Sequence, residues 1–431
     1  MSRFPGRPIT FLLIGFTWLL LSSLVGLAIL VGLVRGTPLP QWVRHAHVHA
    51  ALVGGVAQMI FGAFLVFIPP LLMTGQKRRE SHPMLFLIVN AAAIGMVAGF
   101  GFRNYTVVGL GGLLVAAAFL WMAQDAWGQV RKSLNSPPLN LWFYGLAMLA
   151  LFGGLAGGAT LAFGWAPQYF GHVRLAHIHL NILGFITLAI VGTMHNLFPT
   201  VLNVPLHNPA LARAVMVLFP VGLATLIAGF LNSSVYIEMA GGGVLLVGAL
   251  LYALNIFKTW LTAGQTGSAA SDHMLIGTFF LVLTLVLGVL IAANSMSNPP
   301  AMPFGSLHLI GYTHLALVGF ILQTILGALS HLIPITVAVS RIQSPKKRAP
   351  YLDHLTRVID RWRTIQVASL SLGTMGLALL ATLTWNVPLS SPYIHIAMWS
   401  SFGLLLTGLT LFSVKLVTML WTDPETEPAS H

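Results

Sequence analysis

Long apolar stretches, broken by short polar or turn-forming segments, dominate this chain. Twelve of them are long enough to cross a bilayer, which takes about 20 apolar residues. They fall at roughly 10–34, 42–71, 83–102, 106–127, 140–163, 172–201, 210–231, 236–260, 273–293, 305–337, 363–384 and 393–420. A backbone in lipid must satisfy its own polar groups, so each stretch is expected to be a helix. The breaks carry turn residues: Gly36-Thr37-Pro38 with Pro40, Ser136-Pro137-Pro138, Asn203-Val204-Pro205, Asn298-Pro299-Pro300 and Ser390-Ser391-Pro392. The first stretch, from Thr10 to about Val34, is too long for a signal-peptide core and lacks a convincing cleavage site. It reads as the first span.

Within this pattern one motif occurs three times. A histidine is followed by glycine five residues on, glycine eight further and proline seven beyond that. The copies are His49, Gly54, Gly62, Pro69; His179, Gly184, Gly192, Pro199; and His314, Gly319, Gly327, Pro334. They lie 130 and 135 residues apart, in the second, sixth and tenth spans. The spans therefore divide into three blocks of four, about 10–128, 139–262 and 272–421. The three motif helices run in the same direction, which puts their histidines at one depth near the outer surface. The expected fold is an all-α integral membrane protein of twelve transmembrane helices in three pseudo-threefold four-helix repeats. The motif glycines permit close helix contact, and the prolines are expected to stop their helices.

Composition agrees with a lipid-facing protein. The chain is 56% hydrophobic and 7% charged over 431 residues, too few charges to cover a soluble surface, and its mean hydropathy is +0.85. It reads as a single membrane domain, 1–431. Cysteine is absent, which excludes disulfides, thiolate metal sites and cysteine nucleophiles. The net charge of +12 is a topology signal rather than a nucleic-acid footprint. With both termini cytoplasmic, seventeen basic residues fall inside: Arg3, Arg7, Lys77, Arg78, Arg79, Arg131, Lys132, Arg213, Lys258, Arg341, Lys346, Lys347, Arg348, Arg357, Arg361, Arg363 and Lys415. Only Arg35, Arg44, Arg103 and Arg174 fall outside. The basic cytoplasmic loop 340–361 alternates charge and is expected to form a short surface helix against anionic lipid. A polar tail follows at 422–431.

The candidate chemistry is imidazole chemistry. Of sixteen histidines, nine cluster toward the outer side: His45, His47, His49, His172, His177, His179, His308, His314 and His395. Two motif copies carry a second histidine two residues upstream, His47 and His177, where the third has Tyr312. Two residues apart on a helix is a rotation of about 200°, so one helix addresses the pockets on both its sides. Three such helices enclose three pockets, each seeing rings from two helices. Two imidazoles on one iron make a six-coordinate, electron-transferring haem. His45, His172, His308 and His395 lie nearer the interface. His82, His207, His273, His354 and His431 are expected in solvated inner loops or at the chain end, and His195 near the inner end of its span has no assigned role. Asp125 and Glu238 stand at span ends. Asp272, Asp353, Asp360, Glu80, Asp423, Glu425 and Glu427 are in loops or the tail, so no carboxylate relay from the inside is expected.

Twelve helices in three pseudo-repeats, with histidines on helices 2, 6 and 10, resemble subunit I of the haem–copper oxidase and nitric oxide reductase superfamily. The stretch opening at His47-Val48-His49 is similar to the helix that opens with H-A-H-E in NnrS, a haem- and copper-binding membrane family linked to nitric oxide tolerance. The run Gly327-Ala328-Leu329-Ser330-His331-Leu332-Ile333-Pro334 resembles the end of oxidase helix 10. The resemblance implies a low-spin haem between helices 2 and 10 on His47 and His314. It also implies a copper-type ligand at His179. Symmetry adds a second bis-histidine haem on His49 and His177, and a third pocket with His179, Tyr312 and His308 for copper or an open haem. The family has histidine at the Tyr312 position and an adjacent copper-binding histidine pair on helix 7, neither found here, so the implied catalytic centre is incomplete.

The expected function is a haem b membrane redox protein with one or two haems, and with copper as the alternative occupant of the third pocket. It would exchange electrons with quinol or cytochrome c in nitric oxide or oxygen chemistry, in a bacterial or archaeal inner membrane. A second reading is a non-catalytic haem- or copper-holding subunit or assembly factor of a respiratory complex. A third is a transporter, which three like-oriented repeats fit poorly.

Overall fold

Proline opens five of the long helices, at Pro8, Pro83, Pro167, Pro209 and Pro392, where its missing N–H costs nothing and its fixed φ starts the turn. Asn104 caps another by accepting from Val107 N at 3.2 Å, and Ser268 forms a capping box with Ser271. Gly164 ends a helix in the left-handed region, φ +66°. In this computed structural model the described residues are 6–73, 82–134, 136–264, 267–297, 306–383 and 387–424. Among them there is no strand, and twelve helices are long and apolar enough to cross a membrane. They are α1 (Pro8–Val34), α2 (Gln41–Leu71), α3 (Pro83–Gly101), α4 (Tyr105–Lys132), α5 (Leu139–Phe163), α6 (Pro167–Leu202), α7 (Pro209–Leu231), α8 (Val235–Thr262), α9 (Ala269–Asn294), α10 (His308–Arg341), α11 (Arg363–Thr382) and α12 (Pro392–Trp421). The expected break at Asn298-Pro299-Pro300 lies outside the described residues, as do Arg3, Lys77, Arg78, Arg79, Glu80, Glu425, Glu427 and His431.

The helices are apolar on their outward faces as well as inside. Leu87, Ile94, Leu149, Val221, Leu372 and Val417 are all exposed large hydrophobics. Helices apolar all round are the form a lipid solvent selects.

The chain divides into two compact units. One holds Met1–Thr193 with Met216–Leu245; the other holds Met194–Val215 with Leu246–His431. Small residues set the spacing in the first. A Cβ on Gly62 of α2 would lie 2.7 Å from Phe11 Cβ of α1. A Cβ on Gly192 of α6 would lie 2.5 Å from Phe143 Cβ of α5, while Asn140 Nδ2 donates to the Gly192 carbonyl. In the second unit, a Cβ on Gly327 of α10 would lie 2.8 Å from Met274 Cγ of α9. Gly192→Leu is therefore expected to overpack α5 against α6 at a cost of about 1–3 kcal/mol. The purified protein should melt at lower temperature, whereas Gly243→Leu, at a site with nothing within 4 Å of a built Cβ, should melt as wild type.

The second unit also carries the short helix expected from the basic loop, Pro345–Asp360, which buries Tyr351, Leu355 and Ile359. Arg341 ties it down by donating to Tyr351 Oη at 2.6 Å and to the carbonyls of Leu420 and Thr422 at the end of α12. A cation at a helix C-terminus is electrostatically well placed.

Two expectations from the sequence are corrected here. The motif prolines do not stop their helices: the chain stays helical past Pro69 to Leu71, past Pro199 to Leu202 and past Pro334 to Arg341. Each proline removes the donor for the carbonyl four residues back, a loss that surrounding helices tolerate in membrane proteins. His273 is not in a solvated loop. Helix α9 starts at Ala269, so His273 lies in its second turn and is fully buried; Lys415 is likewise buried.

One feature has no counterpart in the sequence pattern. Helices α2, α6 and α10 each widen into a π-helical segment, over Ala50–Ala57, Leu180–Ile186 and Leu315–Leu322. Each begins at the residue after the motif histidine. Such segments inside α-helices mark functional sites more often than chance.

Candidate functional site

The three motif histidines are oriented in the same way by their own helices. His49 Nδ1 donates to His45 O at 2.8 Å, His179 Nδ1 to Leu175 O at 2.9 Å, and His314 Nδ1 to Ile310 O at 3.0 Å. A carbonyl can only accept, so these bonds set the Nδ1–H tautomer and put the ring lone pair on Nε2. The lone pair of a carbonyl-tethered imidazole is the arrangement that metal-ligating histidines use.

The residues two positions upstream are held by the preceding helix instead. His47 Nδ1 donates to Ser22 O of α1 at 2.8 Å, and Ser22 Oγ lies 2.9 Å from the same nitrogen. His177 Nδ1 donates to Gly154 O of α5 at 2.7 Å, and Asn181 Nδ2 donates to the His177 carbonyl at 2.7 Å. Four residues on from each accepting carbonyl stands a glycine against the ring. A Cβ on Gly26 would lie 2.7 Å from His47 Cε1, and one on Gly158 would lie 2.9 Å from His177 Cε1. Gly288 of α9 meets the Tyr312 ring in the same manner, with its built Cβ 3.0 Å from Tyr312 Cε2. The sequence reading missed these glycines because a lone glycine in an apolar span signals close packing and nothing more.

In the first unit the geometry brings His49 of α2 and His177 of α6 together. Their ring centroids are 6.4 Å apart and their planes 17° from parallel. Phe100 of α3 packs against His49 at 4.7 Å and also lies 5.6 Å from His45. Phe230 of α7 packs against His179 at 4.6 Å. His172 Nδ1 donates to Phe230 O at 2.9 Å, which leaves it part of the α6–α7 packing. In the second unit, Tyr312 and His314 are partly buried on α10, and His308 is buried one and a half turns before His314. Among the described residues, no three His, Asp or Glu side chains converge as a cage for a metal ion. The His49–His177 arrangement offers two neighbouring imidazoles.

The His49 and His177 rings are stacked, with centroids 6.4 Å apart and planes 17° from parallel. Each ring has Nδ1 tied to a backbone carbonyl and Nε2 left as a lone pair, the donor type that would hold a haem iron.

No protein-family model matches the chain. A protein of Aquifex aeolicus (strain VF5), described as "Uncharacterized protein", is 30% identical over 160 residues, which cover 36% of this chain and 40% of that protein.

Proposed function

We propose that this chain is an integral membrane redox protein that holds haem iron between His49 and His177. The observation that carries the reading is the pair of near-parallel rings 6.4 Å apart, each with Nδ1 tied to a backbone carbonyl. A haem held by these two imidazoles would supply one-electron transfer. The residues around it do the positioning. Gly154 O and His45 O fix the two tautomers, Gly158 admits the His177 ring beside α5, and Phe100 walls the His49 ring on one side. The resemblance to haem–copper oxidases, nitric oxide reductases and NnrS makes nitric oxide or oxygen chemistry the associated reaction class, with quinol or a cytochrome as the electron source. In the same reading the cofactor is haem b, and the membrane is the inner membrane of a bacterium or archaeon.

Pyridine haemochrome analysis of the purified protein should show b-type haem, and its oxidised form should give a low-spin ferric signal in electron paramagnetic resonance. Protein that is folded and colourless after growth with ample haem precursor would refute the proposal.

A further inference from the structure

A buried hydrogen-bonded chain in the second unit lies outside the reading above. Lys415 of α12, Gln366 of α11, and His273 of α9 are each less than a tenth exposed, as is Gln323 of α10. Lys415 Nζ donates to Ile359 O at 2.9 Å, the end of the surface helix, and to Gln366 Oε1 at 2.6 Å. Gln366 Nε2 donates to His273 Nε2 at 2.7 Å, and His273 Nδ1 donates to Gln323 Oε1. Gln323 Nε2 donates to Ser371 Oγ at 2.9 Å, and Ser371 Oγ donates to Val367 O at 2.7 Å. From the Lys415–Gln366 bond onward every donor points the same way, away from the lysine.

We infer that Lys415, Gln366 and His273 form a proton-binding site that holds one proton, on either the amine or the imidazole, and not one on each. The reason lies in the amide between them. As drawn, a charged Lys415 donates to Gln366 Oε1 and a neutral His273 accepts from Gln366 Nε2. If the proton sits on His273 instead, Nε2–H becomes a donor. A half-turn about the Gln366 Cγ–Cδ bond then offers Oε1 to the imidazolium and an N–H to neutral Lys415. Both arrangements satisfy all three groups. With both groups charged, two donors face an amide that can turn its oxygen to only one of them, and two cations repel in a water-poor interior.

The surroundings suit a site that exchanges protons with the aqueous phase. Asp272 of α9 and Arg363 of α11 pair at 3.5 Å with side chains 30% and 35% exposed, one residue from His273 and three from Gln366. Asp360 ends the surface helix and accepts from Ala269 N at 2.6 Å. Helix α10 contributes the neutral Gln323. The charge bias of the loops puts this end of the spans inside, so the ligand is a proton from the cytoplasm. The inference does not depend on a haem being present.

The test is nitrogen-15 NMR of histidine-labelled full-length protein in nanodiscs, with the His273 signals identified by their loss in His273→Gln. Wild-type His273 should keep the neutral Nδ1–H tautomer between about pH 5 and 9. Removing the cation in Lys415→Met should let His273 bind a proton at least roughly tenfold more tightly. Lys415→Arg should leave it as in wild type. Gln366→Glu, which puts a carboxylate between the two, should make His273 an imidazolium at neutral pH. A His273 that stays neutral over the whole range in both Lys415→Met and Gln366→Glu overturns the site and leaves the chain as packing. If Lys415→Met does not fold, Gln366→Glu decides alone.

Discussion

Replacing His177 or His49 with alanine should each remove the low-spin haem signal, leaving less than roughly a tenth of the wild-type amplitude. One imidazole cannot make a six-coordinate low-spin iron, so either loss has the full effect and the double variant adds nothing further. Such non-additivity marks groups that act as a unit. The rings are not structurally equivalent, which makes the comparison informative. His177 hydrogen-bonds to α5, whereas the Nδ1 of His49 bonds only within its own helix. His177→Ala should therefore also lower thermal stability, by about 1 kcal/mol for the lost hydrogen bond, and His49→Ala should do so less. The measurements are the electron paramagnetic resonance spectrum, the haem-to-protein ratio and the melting temperature of each purified variant. A full low-spin signal in either single variant would place the iron elsewhere.

A second large effect is expected away from any ligand. Gly158→Val puts a branched side chain where a Cβ alone would lie 2.9 Å from His177 Cε1 and 3.0 Å from its Nδ1. The ring must swing, and with it the bond to Gly154 O. A displacement of about 1 Å suffices to spoil a ligand constellation. Haem binding should fall at least tenfold while the protein still inserts and purifies. Gly145→Val is the matched control on the same helix, since nothing lies within 4 Å of its built Cβ. Equal haem content in the two variants would show that α5 does not position His177.

Much of the architecture could be read from the order of residues. Twelve apolar stretches became twelve helices because lipid leaves the backbone no alternative. The surface helix followed from alternating charge, and the triplicated motif identified the three helices that share one way of holding a histidine. What escaped has physical reasons. The start of α9 was missed because Ser268 and Ser271 cap it in a polar segment that looks like a loop, and that error hid the burial of His273. Reading Ser268 as a cap would have shown it. Gln58 and Gln323, each nine residues beyond a motif histidine, are both buried, a match visible in the sequence once the motif is aligned. The partnership of Gly158 and Gly26 with imidazoles was not visible, because glycine carries no side chain to declare what it faces. The π segments were invisible for a similar reason: Ala50–Ala57, Leu180–Ile186 and Leu315–Leu322 have the composition of any apolar helix.

Those widened turns bear on the constant spacing of the motif. In all three copies the proline stands twenty positions after the histidine. One residue more or less on a helical rod turns everything beyond it by about 100°. A widened turn already absorbs surplus chain, so the angular phase between the ring at one end and the glycine-lined contact at the other is a fixed sum of ordinary and broadened steps. Among the three copies the intervening apolar residues differ while their number does not, like the teeth of a gear whose shapes wear but whose count cannot change.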